Sequence, residues 1–279
     1  MSTNSSERPA RKRWQWIAVA ATVLLIVATA VFVVVLTGDR RDQGVAPPGT
    51  PIAGSSTVSP PASTTVSAST TSTMSSPIEG YQMLYPFASV ADAKQWQASY
   101  RQGGHQPWHL DAGMTALSFT QAYLGYTTID RITSTTVAGS QAWIGVGYAL
   151  PDGGTSTAAT VHLVKTGTDE DSPWEAVGTR DKVLTLTQPA YGSTVTSPVA
   201  VGGRITGVDE SLDVQVLAGK RIGGTSMIPA GGTNVAWQAN VSFTAAEGTT
   251  LTITVSTGGH VADVELFAIT GVRTGSQPQ

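Results

Sequence analysis

Residues 127–166 read TTIDRITSTTVAGSQAWIGVGYALPDGGTSTAATVHLVKT, and this stretch decides the fold class. Apolar and polar residues alternate along it with the period of two that is typical of β-strands. Pro151-Asp152-Gly153-Gly154 has the composition of a turn between two strands. Together with the alternating segment that follows, the pattern predicts an antiparallel meander of four strands. We place these strands at residues 127–138, 141–150, 158–166 and 174–180.

The residues just before this stretch have a helical period instead. VADAKQWQASYR (90–101) follows Ser89, which with Asp92 resembles a capping box, and Gly103-Gly104 ends the predicted helix. AGMTALSFTQAYL (112–124) follows a candidate cap, Asp111, and is closed by Gly125. Helices followed by a meander predict an α+β domain over residues 80–181, with the helices packed on one face of the sheet.

Residues 182–273 contain short alternating segments separated by Gly, Pro, Asn and Ser. About seven short strands without a helical period predict an all-β sandwich of immunoglobulin type. Trp237 and Phe243 are the largest candidates for its core, and residues 274–279 form a tail. The predicted strands lie near residues 183–186, 199–201, 212–217, 225–228, 236–243, 250–255 and 263–269.

One segment of this region, LTQPAYGSTVTSPVAVGGRITGVDE (186–210), carries a family pattern of Pro, a turn with Gly, Val-x-Ser-Pro, an apolar strand and Gly. It resembles the bacterial spore-germination-associated immunoglobulin-like domain. That resemblance implies extracytoplasmic display and binding, with no chemistry assigned. The whole chain is similar to membrane-anchored envelope proteins of high-GC Gram-positive bacteria, and the order of elements in residues 80–181 is similar to nuclear transport factor 2-like domains. The positions that match the immunoglobulin-like domain within this segment are Pro189, Gly192, Val195, Ser197, Pro198, Val199, Val201 and Gly202. Its later pattern of an aromatic strand, a glycine and a Leu-rich strand is matched by Trp237, Phe243, Gly248 and Leu251.

An uncharged apolar block, WIAVAATVLLIVATAVFVVVL (16–36), lies near the N-terminus. Its 21 residues are enough to cross a bilayer core of about 30 Å as a helix. Residues 1–15 carry four basic residues and one acid, so the positive-inside rule predicts a cytoplasmic tail and a single-pass plasma-membrane protein whose remaining domains lie outside. The alternative is a cleaved secretory signal with Ala28-Thr29-Ala30 as its cleavage site, although the apolar run continues beyond it.

Residues 37–79 are rich in Ser, Thr and Pro, as in STVSPPASTTVSASTTSTMSSP. Such a segment cannot bury enough apolar surface to offset the entropy of ordering it. We therefore predict a disordered linker that resembles an O-glycosylated stalk and holds the later domains away from the membrane.

Composition excludes several classes of function. The chain has no cysteine, which rules out disulfides, thiolate metal sites and cysteine nucleophiles. Beyond the cytoplasmic tail, 12 basic residues stand against 18 acidic ones, and no basic run occurs. This negative balance disfavours a nucleic-acid partner.

Two clusters of polar residues admit a metal-binding interpretation. His105 and His109 are four residues apart, but Gly103, Gly104 and Pro107 disfavour the regular helix that a zinc pair at this spacing needs. The acidic run 169–171 lacks the alternating ligands and the glycine of a calcium loop, and a solvated hairpin tip is the favoured interpretation. No spacing links Ser, His and Asp into a triad, so we assign no catalytic, cofactor-binding or metal-binding residue.

The aromatic residues of the middle region are predicted to be mostly core. Trp108 and Tyr126, in loops that flank the second helix, are the candidate interaction surface. The sequence thus predicts a non-enzymatic binding or scaffolding module, with no cofactor, for an unknown protein or cell-wall glycan. One alternative is an enzyme or small-ligand binder with a pocket in the α+β domain. Another is an accessory subunit of an envelope complex that pairs through its transmembrane helix.

Overall fold

The computed structural model describes residues 78–276, with the backbone alone for residues 208–210. The predicted cytoplasmic tail, the membrane span at residues 16–36 and the linker up to residue 77 lie outside the described residues. The described part is mostly β-sheet with few helices. Within it, no helix has both the length and the apolar character needed to span a membrane.

The helices lie where the sequence predicts them. Helix α1 spans Val90–Arg101, and the Ser89 side chain accepts a hydrogen bond from the Asp92 amide at its start. Helix α2 spans Ala112–Ser118 and continues as a π-helical turn, Phe119–Tyr123. Asp111 caps α2 by accepting from the Met114 amide. A short 3-10 turn, Pro107–Leu110, joins the two helices.

The predicted meander is a four-stranded antiparallel sheet in the order β1-β2-β3-β4. Each strand begins or ends within four residues of its predicted bounds. Strand β1 forms one edge of the sheet and begins at Arg131, because residues 126–129 form a turn closed by the Ile129 amide and the Tyr126 carbonyl. The strands are β1 (Arg131–Ala138), β2 (Gln141–Ala149), β3 (Thr155–Lys165) and β4 (Trp174–Thr179).

The remaining strands form a five-stranded sheet, β5-β11-β10-β7-β8, and a separate pair, β6-β9. The five-stranded sheet and the β6-β9 pair enclose an apolar cluster that includes Trp237. The Trp237 indole N–H donates to the Thr185 carbonyl. The strands are β5 (Thr194–Val195), β6 (Val199–Ile205), β7 (Val208–Ala218), β8 (Lys220–Gly232), β9 (Val235–Val241), β10 (Thr250–Thr257) and β11 (Leu266–Thr274).

Three details of this region differ from the sequence interpretation. The two-residue strand β5, which pairs in parallel with β11, carries too few residues to show a period. The last strand begins at Leu266 rather than Asp263, because the Glu265 carboxylate accepts hydrogen bonds from the amides of residues 260–262 and holds them in a turn. The predicted strand at 183–186 is reduced to an isolated bridge from Leu184 to β6, and a second isolated bridge joins Gln188 to β6.

A second apolar cluster joins the helical region to the five-stranded sheet. It contains Phe119 of α2 and strands of the meander, and also Phe267 and Ile269 of β11. Strand β10 is buried on both faces, and its Thr252 and Thr254 hydroxyls pair with those of Tyr123 and Tyr126 at 3.1 and 3.0 Å. Residues 78–181 and 182–276 therefore share one core within a single compact unit.

Candidate functional site

A cleft of about 530 Å³ lies between the segment before α1 and one end of the five-stranded sheet. Residues 83–88 form one wall, and the β7–β8 turn with residues 248–250 forms the other. Tyr85, Phe87 and Tyr123 supply its aromatic lining, and the partly exposed Thr249 and Thr250 supply hydroxyls. None of the described residues that line the cleft is charged. This composition suits an uncharged ligand with both apolar and hydroxyl surface.

The aromatic residues of the cleft belong to a larger group of contacting rings. We call this group the aromatic cluster: Tyr85, Phe87, Trp96, Trp108, His109 and Tyr123. Tyr85 lies between Trp108 and Tyr123, with ring centroids 6.2 and 5.5 Å away, and Phe87 lies 5.0 Å from His109. All members except His109 are partly exposed. Aromatic faces that are packed yet reachable are typical of stacking sites.

Local backbone signals place the rings of this cluster. The cap at Ser89 sets the start of α1, which presents Trp96. Gln106 adopts a left-handed conformation (φ 68°) and is followed by Pro107, so the chain reverses into the short 3-10 turn. That turn carries Trp108 and His109 to the same side as Trp96. The loop between two well-capped helices is therefore held in a defined shape.

His109 is buried within the short 3-10 turn. Its exposed fraction is 4 %, and its ring stacks on Trp108 at 3.7 Å and contacts Trp96 at 4.8 Å. Nε2 lies 3.2 Å from Gln106 Oε1, while Nδ1 has no hydrogen-bond partner. Burial lowers the pKa of His109 to about 4, so the ring is neutral at neutral pH. His105 is exposed, and the described residues contain no group of three potential metal ligands.

Glu175 is a buried acid that the sequence interpretation did not single out. It lies on β4 with no exposed surface, and Oε2 accepts a hydrogen bond from the Phe87 amide at 3.1 Å. Oε1 has no partner. Burial raises the pKa of Glu175 well above its ordinary value, which favours the protonated carboxyl group. The sequence signal at this position was an acid within the apolar run WEAVG.

The two predicted interaction residues have different surroundings. Trp108 is half-buried and belongs to the aromatic cluster beside the cleft. Tyr126 is 5 % exposed and packs on Phe267 with its hydroxyl paired to Thr254, so it belongs to the core and does not form an interaction surface. The loop position of Tyr126 suggested exposure, but the five-stranded sheet covers it.

The acidic run at 169–171 is tied to helix α1. Arg101 donates to Asp169 at 2.8 Å and to Asp171 at 2.6 Å, and Gln97 donates to Asp171 at 2.7 Å. The paired arginine holds the pKa of Asp171 well below its usual range. These carboxylates therefore fasten the β3–β4 hairpin to the helix that carries Trp96.

A second group of aromatic side chains lies outside the cleft. Trp143 stacks on His162 at 5.2 Å, and the Arg180 guanidinium lies 5.0 Å from the Trp143 ring. Trp143 is half-buried like the cleft aromatics and does not line the cleft. It therefore offers a matched comparison for tests of the cleft.

Comparison with known proteins gives no family assignment. No protein-family model matches the chain, and a search of curated proteins finds no match.

Proposed function

We propose that this protein is a non-enzymatic binding module of a bacterial envelope. In this proposal residues 16–36 anchor it in the plasma membrane with the N-terminus in the cytoplasm, and residues 37–79 are the tether. Residues 80–181 then form an α+β domain and residues 182–273 an immunoglobulin-like sandwich, both outside the membrane. The apolar block, its basic flank and the Ser/Thr/Pro-rich segment support this arrangement.

The observation that carries the binding function is the uncharged cleft beside the aromatic cluster. Tyr85, Phe87 and Tyr123 face a space of about 530 Å³, a volume within the usual range of small-ligand sites. Trp108 contacts the Tyr85 ring and Trp96 contacts the Phe87 ring, with ring centroids 6.2 and 6.1 Å apart. A rigid aromatic surface gains binding energy at little cost in side-chain entropy.

We propose that the ligand is an uncharged polysaccharide segment of the cell wall. Sugar rings present C–H faces that pack on aromatic rings and hydroxyls that bond to threonine side chains and backbone groups, and the cleft supplies both. The excess of acidic residues beyond the cytoplasmic tail repels anionic polymers. An uncharged glycan therefore fits the site better than a nucleic acid or an acidic polymer does.

Cosedimentation of the purified protein with neutral wall polysaccharide tests this proposal. Phe87→Ala removes a ring that lines the cleft, and we expect it to weaken binding by about tenfold or more, equivalent to at least about 1.4 kcal/mol. Trp143→Ala is the matched control, because it removes a half-buried aromatic residue that does not line the cleft. Circular dichroism checks that both variants fold.

Two results would contradict the proposal. One is wild-type protein that stays in the supernatant with every neutral wall polysaccharide. The other is equal loss of binding in Phe87→Ala and Trp143→Ala, which would place the contact outside the cleft.

A further inference from the structure

Strand β1 is an open edge of the four-stranded sheet. It pairs with β2 on one side, and within residues 78–276 no backbone hydrogen bond joins its other side to another strand. Each of its eight side chains is at least partly exposed. Residues 132–138 contain none of the charges or prolines that protect open edges in other proteins. The strand is therefore able to accept another β-strand.

The exposed apolar residues of β1 lie on one face of the sheet. Ile132 is 43 % exposed and Val137 is 54 % exposed. They are five positions apart in the sequence, which would put them on opposite faces of a regular strand. A bulge between Ile132 and Ser134 changes this: Ile132 pairs with Val146, and Val137 pairs with Ala142. Since Val146 and Ala142 are four positions apart on β2, their side chains lie on the same face. Both side chains therefore extend the face on which Val146 and Ala142 contribute to the core.

We propose that β1 pairs with β1 of a second copy of this chain, antiparallel and across a two-fold axis at Thr135. In that register Ile132 lies opposite Val137 of the partner subunit, and Val137 lies opposite the partner's Ile132. Ser134 lies opposite the partner's Thr136, and the bulge leaves Thr133 unpaired. The two four-stranded sheets become one sheet of eight strands.

The same register explains why a second copy suits this edge. A two-fold axis makes each contact twice, so an edge fits itself only if its apolar and polar positions are symmetric about one residue. Ile132 and Val137 meet this condition around Thr135 once the bulge is counted. Arg131, the one charged residue of β1, lies at the strand end and faces the partner's Ala138, so no like charges oppose each other.

This interaction surface is separate from the cleft. No residue of β1 lines the cleft, so the dimer and the proposed glycan binding are independent. A test that contradicts the dimer leaves the proposed glycan binding unaffected, and the converse is also true.

A single-cysteine variant of the full chain, purified in mild detergent, tests the register. The chain has no cysteine, so Thr135→Cys introduces its only thiol. Directly opposed residues of an antiparallel pair have Cα atoms about 4.5–5.5 Å apart, which a disulfide can bridge. Under mild thiol oxidation two thiols form one disulfide, and the oxidant takes up two electrons and two protons. We expect a covalent dimer on a non-reducing gel.

Thr136→Cys is the matched control on the same strand. In the proposed register the two Cα atoms at position 136 lie about 8 Å apart, too far for a disulfide. We therefore expect this variant to stay monomeric on the same gel. Adding Val137→Lys to Thr135→Cys should abolish the crosslink, whereas adding Val261→Lys, at a loop residue that is 48 % exposed, should preserve it.

Three results would overturn the proposal. These are no crosslink with folded Thr135→Cys, an equal or stronger crosslink with Thr136→Cys, and a Thr135→Cys crosslink that persists with Val137→Lys. Circular dichroism establishes that each variant is folded.

Discussion

At the scale of single residues, the main feature is the burial of three ionisable side chains: His109 and Glu175 are buried, and Asp181 is half-buried. His109 is neutral because it is surrounded by aromatic rings, and Glu175 is driven towards its protonated form by complete burial. Asp181 accepts a hydrogen bond from the Thr160 amide at 3.1 Å, yet burial raises its pKa to about 6. The folded protein therefore disfavours charge at three separate positions, and its stability depends on pH.

The sign of this dependence differs between the groups. The pKa of His109 is lower in the folded state than the ordinary value near 6.5, so acid favours unfolding as pH falls from about 6.5 to about 4. Asp181 has a raised pKa in the folded state, so its contribution to stability is present below pH 3.8 and is lost as pH rises to about 6. Glu175 acts in the same direction as Asp181. The two effects partly cancel in wild-type protein.

Replacing His109 separates these effects. His109→Phe keeps an aromatic ring and removes the titration, so wild-type protein should lose about 2 kcal/mol of unfolding free energy relative to the variant between pH 7 and pH 4.5. Urea unfolding at a series of pH values measures the difference. His105→Phe is the control and should keep the acid-induced loss, since His109 is still present. A constant difference between wild type and His109→Phe across this range would refute the buried, neutral histidine.

At the scale of secondary-structure elements, strand β10 shows what the sequence could and could not predict. The alternation in TLTITVST predicts a strand with one apolar face, and that prediction is confirmed. Alternation also suggests that the threonine face is solvated, yet Thr252 and Thr254 are buried against two tyrosines. Their partners are about 128 residues away in the chain, and a local period carries no information about contacts at that separation.

The same reasoning applies to the helices and to the cleft. Both helices were predictable because Ser89, Asp111 and Gly125 are local signals that act within one turn. The cleft was not predictable, because its walls come from residues 83–88 and 248–250, which only the tertiary fold brings together. Trp108 was identified through its loop position, whereas the burial of His109 depends on Phe87 and Trp96 from other parts of the chain as well as on the neighbouring Trp108 ring.

A double-mutant cycle tests the hydrogen bond between Tyr126 and Thr254. Thr254→Val removes one of the hydrogen-bond partners of the buried Tyr126 hydroxyl, which also interacts with Ser256, and should cost about 0.5–1.5 kcal/mol of unfolding free energy. Tyr126→Phe has the converse effect on the threonine. The double variant should cost less than the sum of the two by about 1 kcal/mol, as determined by urea denaturation. Strict additivity would contradict this contact.

At the scale of the whole molecule, one cluster of buried residues joins the helical region and the five-stranded sheet. Phe267 of β11 has no exposed surface and lies 5.3 Å from the Tyr126 ring. Tyr191 reaches back to residue 82, where its hydroxyl accepts from the Gln82 amide at 2.7 Å, and Arg273 donates to the Gln82 side chain at 3.0 Å. Residues 78–276 should therefore unfold in one cooperative transition.

Removing the Phe267 side chain tests this cooperativity. Phe267→Ala should cost about 3–5 kcal/mol, because it opens a cavity where the helical region meets β11. Hydrogen exchange should accelerate together at Val161 in β3 and at Val214 in β7. The control is Val261→Ala, an exposed site where we expect a change of less than about 0.5 kcal/mol. Faster exchange confined to residues 182–276 would contradict a shared core.

The two ends of the described chain lie beside each other. Ile78 and Arg273 line the same surface depression, and Gln82 is bonded to Arg273. A short peptide could thus join residue 276 to residue 78 without crossing the molecule, and new ends could be opened at the exposed turn around Asp152 and Gly153. A circular permutant built in this way would keep both buried clusters, and its new termini would serve as attachment points for a reporter domain.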